Sequence, residues 1–191
     1  MSILKVARMG HPVLRARAKA IDRGDIKSPR MQQLIDDMFE TMREYQGVGL
    51  AAPQVHVPLR LFVAGFSPEP GLEPDEDEED RDQERVPLMA LINPELSAVG
   101  NGTDEDWEGC LSVPDIRGKV PRAREIQVKA YDRSGRRIDM RARGFTARVI
   151  QHETDHLDGV LFLDRMKSFD TLTLLDEFGR FCNARRTVPE E

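Results

Sequence analysis

The chain has 191 residues and a mass of 21.7 kDa, which suits one domain with its own core and is short for two. Its 39% hydrophobic and 32% charged residues describe a soluble, globular protein, and no apolar run nears the ~18 residues of a membrane-spanning helix. The net charge of −6 is not a property of the whole surface: residues 69–84 hold ten acids and one arginine, a local −9, which leaves about +3 for the rest.

In chain order, the start MSILKVARMGHPVL lacks the basic region, apolar stretch and cleavage site of an export signal, so a cytoplasmic protein is expected. The two cysteines, Cys110 and Cys182, argue against a disulfide framework and for a reducing compartment. The first clear element is a helix from Ser28 to Gly47. Ser28 can cap it, Pro29 suits its first position, and Gly47 can close it. Met31, Leu34, Ile35, Met38, Phe39, Met42 and Tyr45 follow its period and read as core. GVGLAAPQV, Gly47 to Val55, is too rich in small residues for an ordinary strand or helix. Strands are expected at Leu59 to Phe66 and Leu88 to Pro94, on either side of a solvated, self-repelling acidic loop inserted at about 67–87. EIQVKAYDR and RRIDMRA flank Ser134-Gly135 as a hairpin. A helix follows from Phe145 to Leu157, with Gly159 past its end, and a last amphipathic helix starts at the Ser168 cap with Phe169, Leu172, Leu175, Phe178 and Cys182 on one side. Strands and helices without regular alternation predict an α+β fold in a single domain, residues 1–191.

The chemistry concentrates in QHETDH, Gln151 to His156. On a helix, His152 and His156 share one face a turn apart, which makes half of a tetrahedral metal site. A catalytic metal usually takes a third protein ligand and leaves one position for water. Cys182 continues an apolar stripe and reads as a small core residue; His11 and His56 stand alone and suit surface or capping roles. Cys110 differs, because WEGCLSVP, Trp107 to Pro114, has the composition of a rigid, shaped loop. A thiolate there would complete a site of one sulfur and two nitrogens.

GVGLAAPQ (Gly47 to Gln54), EGCLS (Glu108 to Ser112) and QHETDH occur in the order, and at about the separations, of the peptide deformylases. The resemblance runs from GHPVLR (Gly10 to Arg15) to GVLFLDR (Gly159 to Arg165). It implies an α+β domain in which a long first helix and antiparallel strands surround a central helix bearing HExxH. The C-terminal helix resembles the form typical of Gram-negative bacteria, so a bacterial cytoplasm is implied. The implied activity is removal of the formyl group from the N-terminal formylmethionine of new proteins. Carried over, the metal ligands are Cys110, His152 and His156, the general base is Glu153, and Gln54 with the Leu111 backbone N–H faces the oxyanion. Gly49 walls the substrate cleft, Arg117 and Arg122 lie near the site, and Arg122 pairs with Glu108 to orient Cys110. The family implies Fe(II) as native metal, with zinc, nickel or cobalt as occupants.

This assignment makes chemical sense. A divalent metal brings the pKa of bound water from about 15.7 towards about 7. Glu153 projects beside the metal and can move the water proton to the leaving amine. Gln54 supplies a donor that a carboxylate would lack. Asp155 is the expected partner of a histidine N–H. Phe145 and Val149 share the helix face of the two histidines and are expected to wall a methionine pocket, with Arg148, where the family often has an apolar residue, at its rim. The glycines would let an extended peptide approach the backbone. Two alternatives remain: an HExxH endopeptidase, whose third ligand would be a downstream Glu or His, and a non-enzymatic module with a four-ligand structural metal. Formyl-Met nascent peptides are the implied partners of a monomer that binds neither membranes nor specific nucleic acid sequences. Arg180, Arg185 and Arg186 offer a basic end for ribosome docking.

Overall fold

The structure, a computed structural model, describes residues 2–66 and 86–182. Helix α1 (Pro29–Glu44) begins as the sequence predicts, with the Met31 N–H donating to Ser28 Oγ at 3.3 Å and Pro29 in the first turn. Its stripe sends Met31, Ile35, Met38, Phe39 and Met42 into the core with Leu34 at the margin, while Tyr45 lies past the helix end and is exposed.

Five antiparallel strands form the larger sheet in the order β1 (Gly49–Ala51), β2 (Leu61–Phe66), β3 (Val86–Ala98), β6 (Glu125–Tyr131), β7 (Arg137–Arg143). Both faces of β2 are covered, and its alternation divides accordingly. Leu61 and Val63 pack with α1, whereas Phe62 and Ala64 pack with Val149, Ile150 and Leu157 of α2 (Gly144–Leu157). Truncating Phe62, which is fully buried, would cost about 3–5 kcal/mol. Ten of the fourteen residues of α2 are buried. The helix stops at Gly159, whose φ of +75° suits glycine and where a Cβ would come within 2.7 Å of the Arg15 carbonyl oxygen. The β6–β7 hairpin turns on Asp132, whose Oδ1 accepts from the Ser134 and Arg136 N–H groups at 2.8 and 2.9 Å.

The smaller sheet has the order β4 (Thr103–Cys110), β5 (Val113–Ala123), β8 (Thr173–Leu174). Antiparallel sheets with helices fit the expected α+β class. Four local expectations change. Gly49–Ala51 does form a short strand, followed by a 3-10 turn over Ala52–Val55. WEGCLSVP is the tip of the β4–β5 hairpin, with only Leu111 and Ser112 outside the strands; the register slips between Glu108 and Cys110, which erases the strand alternation from the sequence. The acidic loop lies outside the described residues, but Val86 and Pro87, placed within it by the sequence reading, belong to β3.

The fourth change is at the end of the chain. Ser168 caps no helix: its hydroxyl bonds Asp170, and Leu174 and Thr173 then pair with Ile116 and Arg117 of β5. Strand pairing displaces helix there, and α3 begins only at Leu175 (Leu175–Glu177), continuing as a π turn over Phe178–Cys182. Phe169, Leu172, Leu175 and Cys182 are exposed, so the apolar stripe and its cysteine are not core. Phe178 instead meets the Trp107 ring edge-on, with centroids 4.9 Å apart.

Candidate metal centre and cleft

Two elements build the centre. The β4–β5 hairpin carries Cys110 at its tip, and α2 presents His152 and His156 one turn apart. Cys110 Sγ lies 3.2 Å from His156 Nε2, and donor atoms of all three residues fall within 4.8 Å of one another. No fourth His, Cys, Asp or Glu joins this group among the described residues. A thiolate and two imidazoles converging at a cleft suit a divalent transition metal with an open position, not a closed structural site.

The surrounding hydrogen bonds fix each donor. Glu108 Oε2 sits 2.9 Å from His152 Nδ1, which leaves the other ring nitrogen for the centre. Arg122 grips Glu108 with a fork, Nε to Oε1 at 2.9 Å and Nη2 to Oε2 at 3.0 Å. The expected Glu108–Arg122 pair is therefore present and buried. Burial alone would raise the Glu108 pKa, but bonds from His152 and Arg122 hold it far below the usual range. Asp155 does not take a histidine N–H as the sequence suggested. It accepts from Arg122 Nη1 at 2.6 Å and from Arg165 Nε and Nη2 at 3.1 and 2.7 Å. His156 Nδ1 is buried without a hydrogen-bond partner among the described residues.

Burial would push the Cys110 thiol up, yet His156 and His152 draw it well below the ordinary value, the direction that favours metal binding. Glu153 behaves oppositely. Burial dominates and lifts its pKa to about 7, and its Oε2 has no partner among the described residues. Gly49 makes room for this carboxyl: a Cβ there would stand 2.7 Å from Glu153 Cδ. Gln54 spends its Oε1 on the Ala51 N–H at 2.7 Å, so its Nε2 must point the other way, 3.2 Å from Ser112 Oγ and 3.5 Å from Cys110 Sγ.

A cleft of about 500 Å³ opens beside the centre. Gly49, Gln54, Leu111, Arg117, Phe145, Val149 and Glu153 all line it. Arg117 lies over Gly109, where a Cβ would collide with its guanidinium. Arg148 also lines the cleft, but it is only 5% exposed and its charged end is not at a rim. Its guanidinium is spent inside the protein on Glu108 and three backbone carbonyls. Three participants escaped the sequence reading. Ser112, inside EGCLS, holds Gln54; Arg165, inside GVLFLDR, holds Asp155; and Leu175 lines the cleft from the C-terminal segment. Both arginine and serine were visible within motifs, whereas Leu175 had no local signal. His11 caps the 3-10 turn Pro12–Arg15 as expected, but it does not stand alone, since its ring meets that of His56 edge-on at 4.7 Å.

The open cleft, the three converging donors and a buried Glu153 carboxyl whose Oε2 has no hydrogen-bond partner among the described residues fit the class of metal-dependent hydrolases. A family model described as polypeptide deformylase matches residues 3–171. Peptide deformylase 1 of Bordetella pertussis is 45% identical over 164 residues, covering 85% of this chain and 86% of that protein. Peptide deformylase 1A, chloroplastic/mitochondrial, of Arabidopsis thaliana is 43% identical over 175 residues, 90% of this chain; the chain spans 65% of that plant protein. Among solved structures, the Met-Ala-Ser-bound class I type b peptide deformylase of Acinetobacter baumannii superimposes with a TM-score of 0.76 at 36% identity, over 87% of this chain and 100% of that one. The chain belongs to the peptide deformylases, metal-dependent enzymes of protein biosynthesis that remove the formyl group from N-terminal methionine. An endopeptidase is not favoured, because the third donor is an upstream hairpin cysteine.

Proposed function

We propose that Cys110, His152 and His156 hold one divalent cation, Fe(II) in the cell, and that Glu153, Gln54 and the Leu111 N–H perform deformylation around it. The observation that carries this reading is Glu153: a buried carboxyl, its pKa raised to about 7, with an Oε2 that has no hydrogen-bond partner among the described residues, beside three metal-type donors. When bound, the cation would acidify water to a pKa of about 7 and polarise the formyl oxygen. Glu153 accepts the proton of the attacking water and returns it to the leaving amine. Gln54 Nε2, already turned towards Cys110, donates to the oxygen on which negative charge develops, and the Leu111 N–H at the hairpin tip is the second donor. Losing one such donor typically costs about 2.7–4 kcal/mol of barrier. A thiolate ligand cancels one charge and softens the site relative to three imidazoles, which makes ferrous iron as reasonable as zinc. The resemblance to the peptide deformylases is what favours iron, with zinc, nickel and cobalt as acceptable occupants.

Phe145 and Val149 wall the methionine side-chain pocket, and Arg117 stands over the peptide beyond it. β1 is the edge of its sheet, so the substrate backbone can add to it as a further strand. The Acinetobacter structure has Met-Ala-Ser bound, the sequence a deformylated substrate would have. The chain acts as a single-domain cytoplasmic monomer on nascent peptides. Ribosome docking would use Arg180, which pairs with Glu177, together with Arg185 and Arg186, which lie outside the described residues. Incubation of anaerobically purified protein with formyl-Met-Ala-Ser, read by formate release, tests the reading. Formate with an intact tripeptide is expected; cleavage only of an internal peptide bond contradicts it.

A further inference from the structure

The geometry points to Arg148 as a positioning residue that fixes the metal ligand His152 through Glu108, rather than one that touches substrate. Arg148 and His152 stand four residues apart on the same face of α2, and both reach across to the same carboxylate on β4. Glu108 Oε1 accepts from Arg122 Nε and Arg148 Nη1, each at 2.9 Å. Its Oε2 accepts from Arg122 Nη2 at 3.0 Å and meets His152 Nδ1 at 2.9 Å. A carboxylate offers about four lone-pair positions, so Arg148 completes the set and leaves Glu108 no freedom to rotate. Without Arg148, one side of Oε1 is empty in a buried place, and the carboxylate is held only by Arg122 of its own sheet and by His152, the ring it positions.

The rest of the guanidinium serves the same end. Nη1 also donates to the Val120 carbonyl at 2.7 Å, and Nη2 to the Asp104 carbonyl at 3.0 Å. Arg148 therefore ties the β4–β5 hairpin, which carries Cys110, to the helix that carries both histidines. An aliphatic residue here could fill space against the cleft but could not make this tie. Partners of this kind, one bond removed from a ligand, are typically worth 10–100-fold in metal affinity or activity.

The inference rests on the metal reading above, and the test separates the two. Zinc affinity of the metal-stripped protein, measured by chelator competition, is compared for wild type, Arg148→Met, Arg148→Lys, Glu108→Gln and Glu108→Gln with Arg148→Met. KM for formyl-Met-Ala-Ser is measured on the zinc-loaded forms, with unfolding curves as the folding check. Methionine keeps an unbranched stem against the cleft and removes the fork. Arg148→Met is expected to bind zinc about 10–100-fold more weakly with KM unchanged. Arg148→Lys should lose less, and Arg148→Met should cost nothing further once Glu108 is Gln. Unchanged zinc affinity in Arg148→Met overturns the inference, as does an equal loss in the Glu108→Gln background. Should Arg148→Met not fold, Arg148→Lys decides: weakened zinc binding supports the role and wild-type affinity overturns it. Wild-type protein that binds no zinc overturns the metal reading and this role with it.

Discussion

Glu108 meets His152 through the ring Nδ1, and Glu153 follows it in the chain; both are buried, at 6% and 3% exposure, yet they end in opposite states. Glu108 lies between two arginines and an imidazole and stays ionised far below the ordinary carboxyl range. Glu153 Oε2 has no hydrogen-bond partner among the described residues, and burial lifts the carboxyl to about 7. Burial is common to the two, so hydrogen-bond partners decide the charge. One carboxylate is fixed as scaffold, and the other is left able to gain and lose a proton near neutrality.

Removing either carboxylate should therefore break different things. Glu153→Gln is expected to lower kcat for formyl-Met-Ala-Ser by about 10²–10⁴ while zinc content and unfolding midpoint hold, because the base is lost and no ion pair is broken. Retained activity would deny Glu153 its role. Glu108→Ala should act on the fold, costing about 3–5 kcal/mol in urea unfolding, since Arg122 and Arg148 lose a buried counter-charge. A stability near wild type would mean that the network contributes little. Gly49→Ala sharpens the contrast from the other side. Its methyl would press the Glu153 carboxyl from its place, and displacement near the chemistry of about 1 Å can cost about 10²-fold, so kcat should fall far more than stability. Equal kcat would show that the carboxyl has room to move.

Asp132 supplies the smallest effect, a third carboxylate held by partners but at the surface. The slight burial cost is outweighed by bonds from Ser134 Oγ and from the N–H groups of Arg136 and Ser134, and its pKa falls to about 2. A lowered folded-state value stabilises above the unfolded pKa of about 4 and is lost as pH falls towards the folded one. The hairpin contribution should thus be complete at neutral pH and fade between about pH 4 and 2. An NMR titration of the Asp132 carboxyl carbon with a midpoint at the unfolded value would contradict this.

What could be read from residues alone follows the range of the interaction. Helix α1 was legible because Ser28, Pro29 and the spacing of Ile35, Met38 and Met42 act locally. The convergence of Cys110, His152 and His156 was legible because the histidines are fixed by helical spacing and Cys110 by a distinctive motif. Asp155 was misjudged because its position beside the histidines says nothing about Arg165 arriving from beyond the helix end. Arg148 was misplaced at the rim for a similar reason: its acceptors are Glu108 and strand carbonyls distant in sequence. The last helix failed where pairing of Leu174 with Ile116 overruled a periodic pattern.

The most direct measurement strips the wild-type protein of metal, reloads it under anaerobic conditions with Fe(II) or Zn(II), and follows bound metal and formate release together. Activity should rise in proportion to occupancy and level off at one ion per chain, and a Cys110→Ala protein should neither bind the ion tightly nor release formate. Full formate release from the stripped protein, or from Cys110→Ala, would contradict the account.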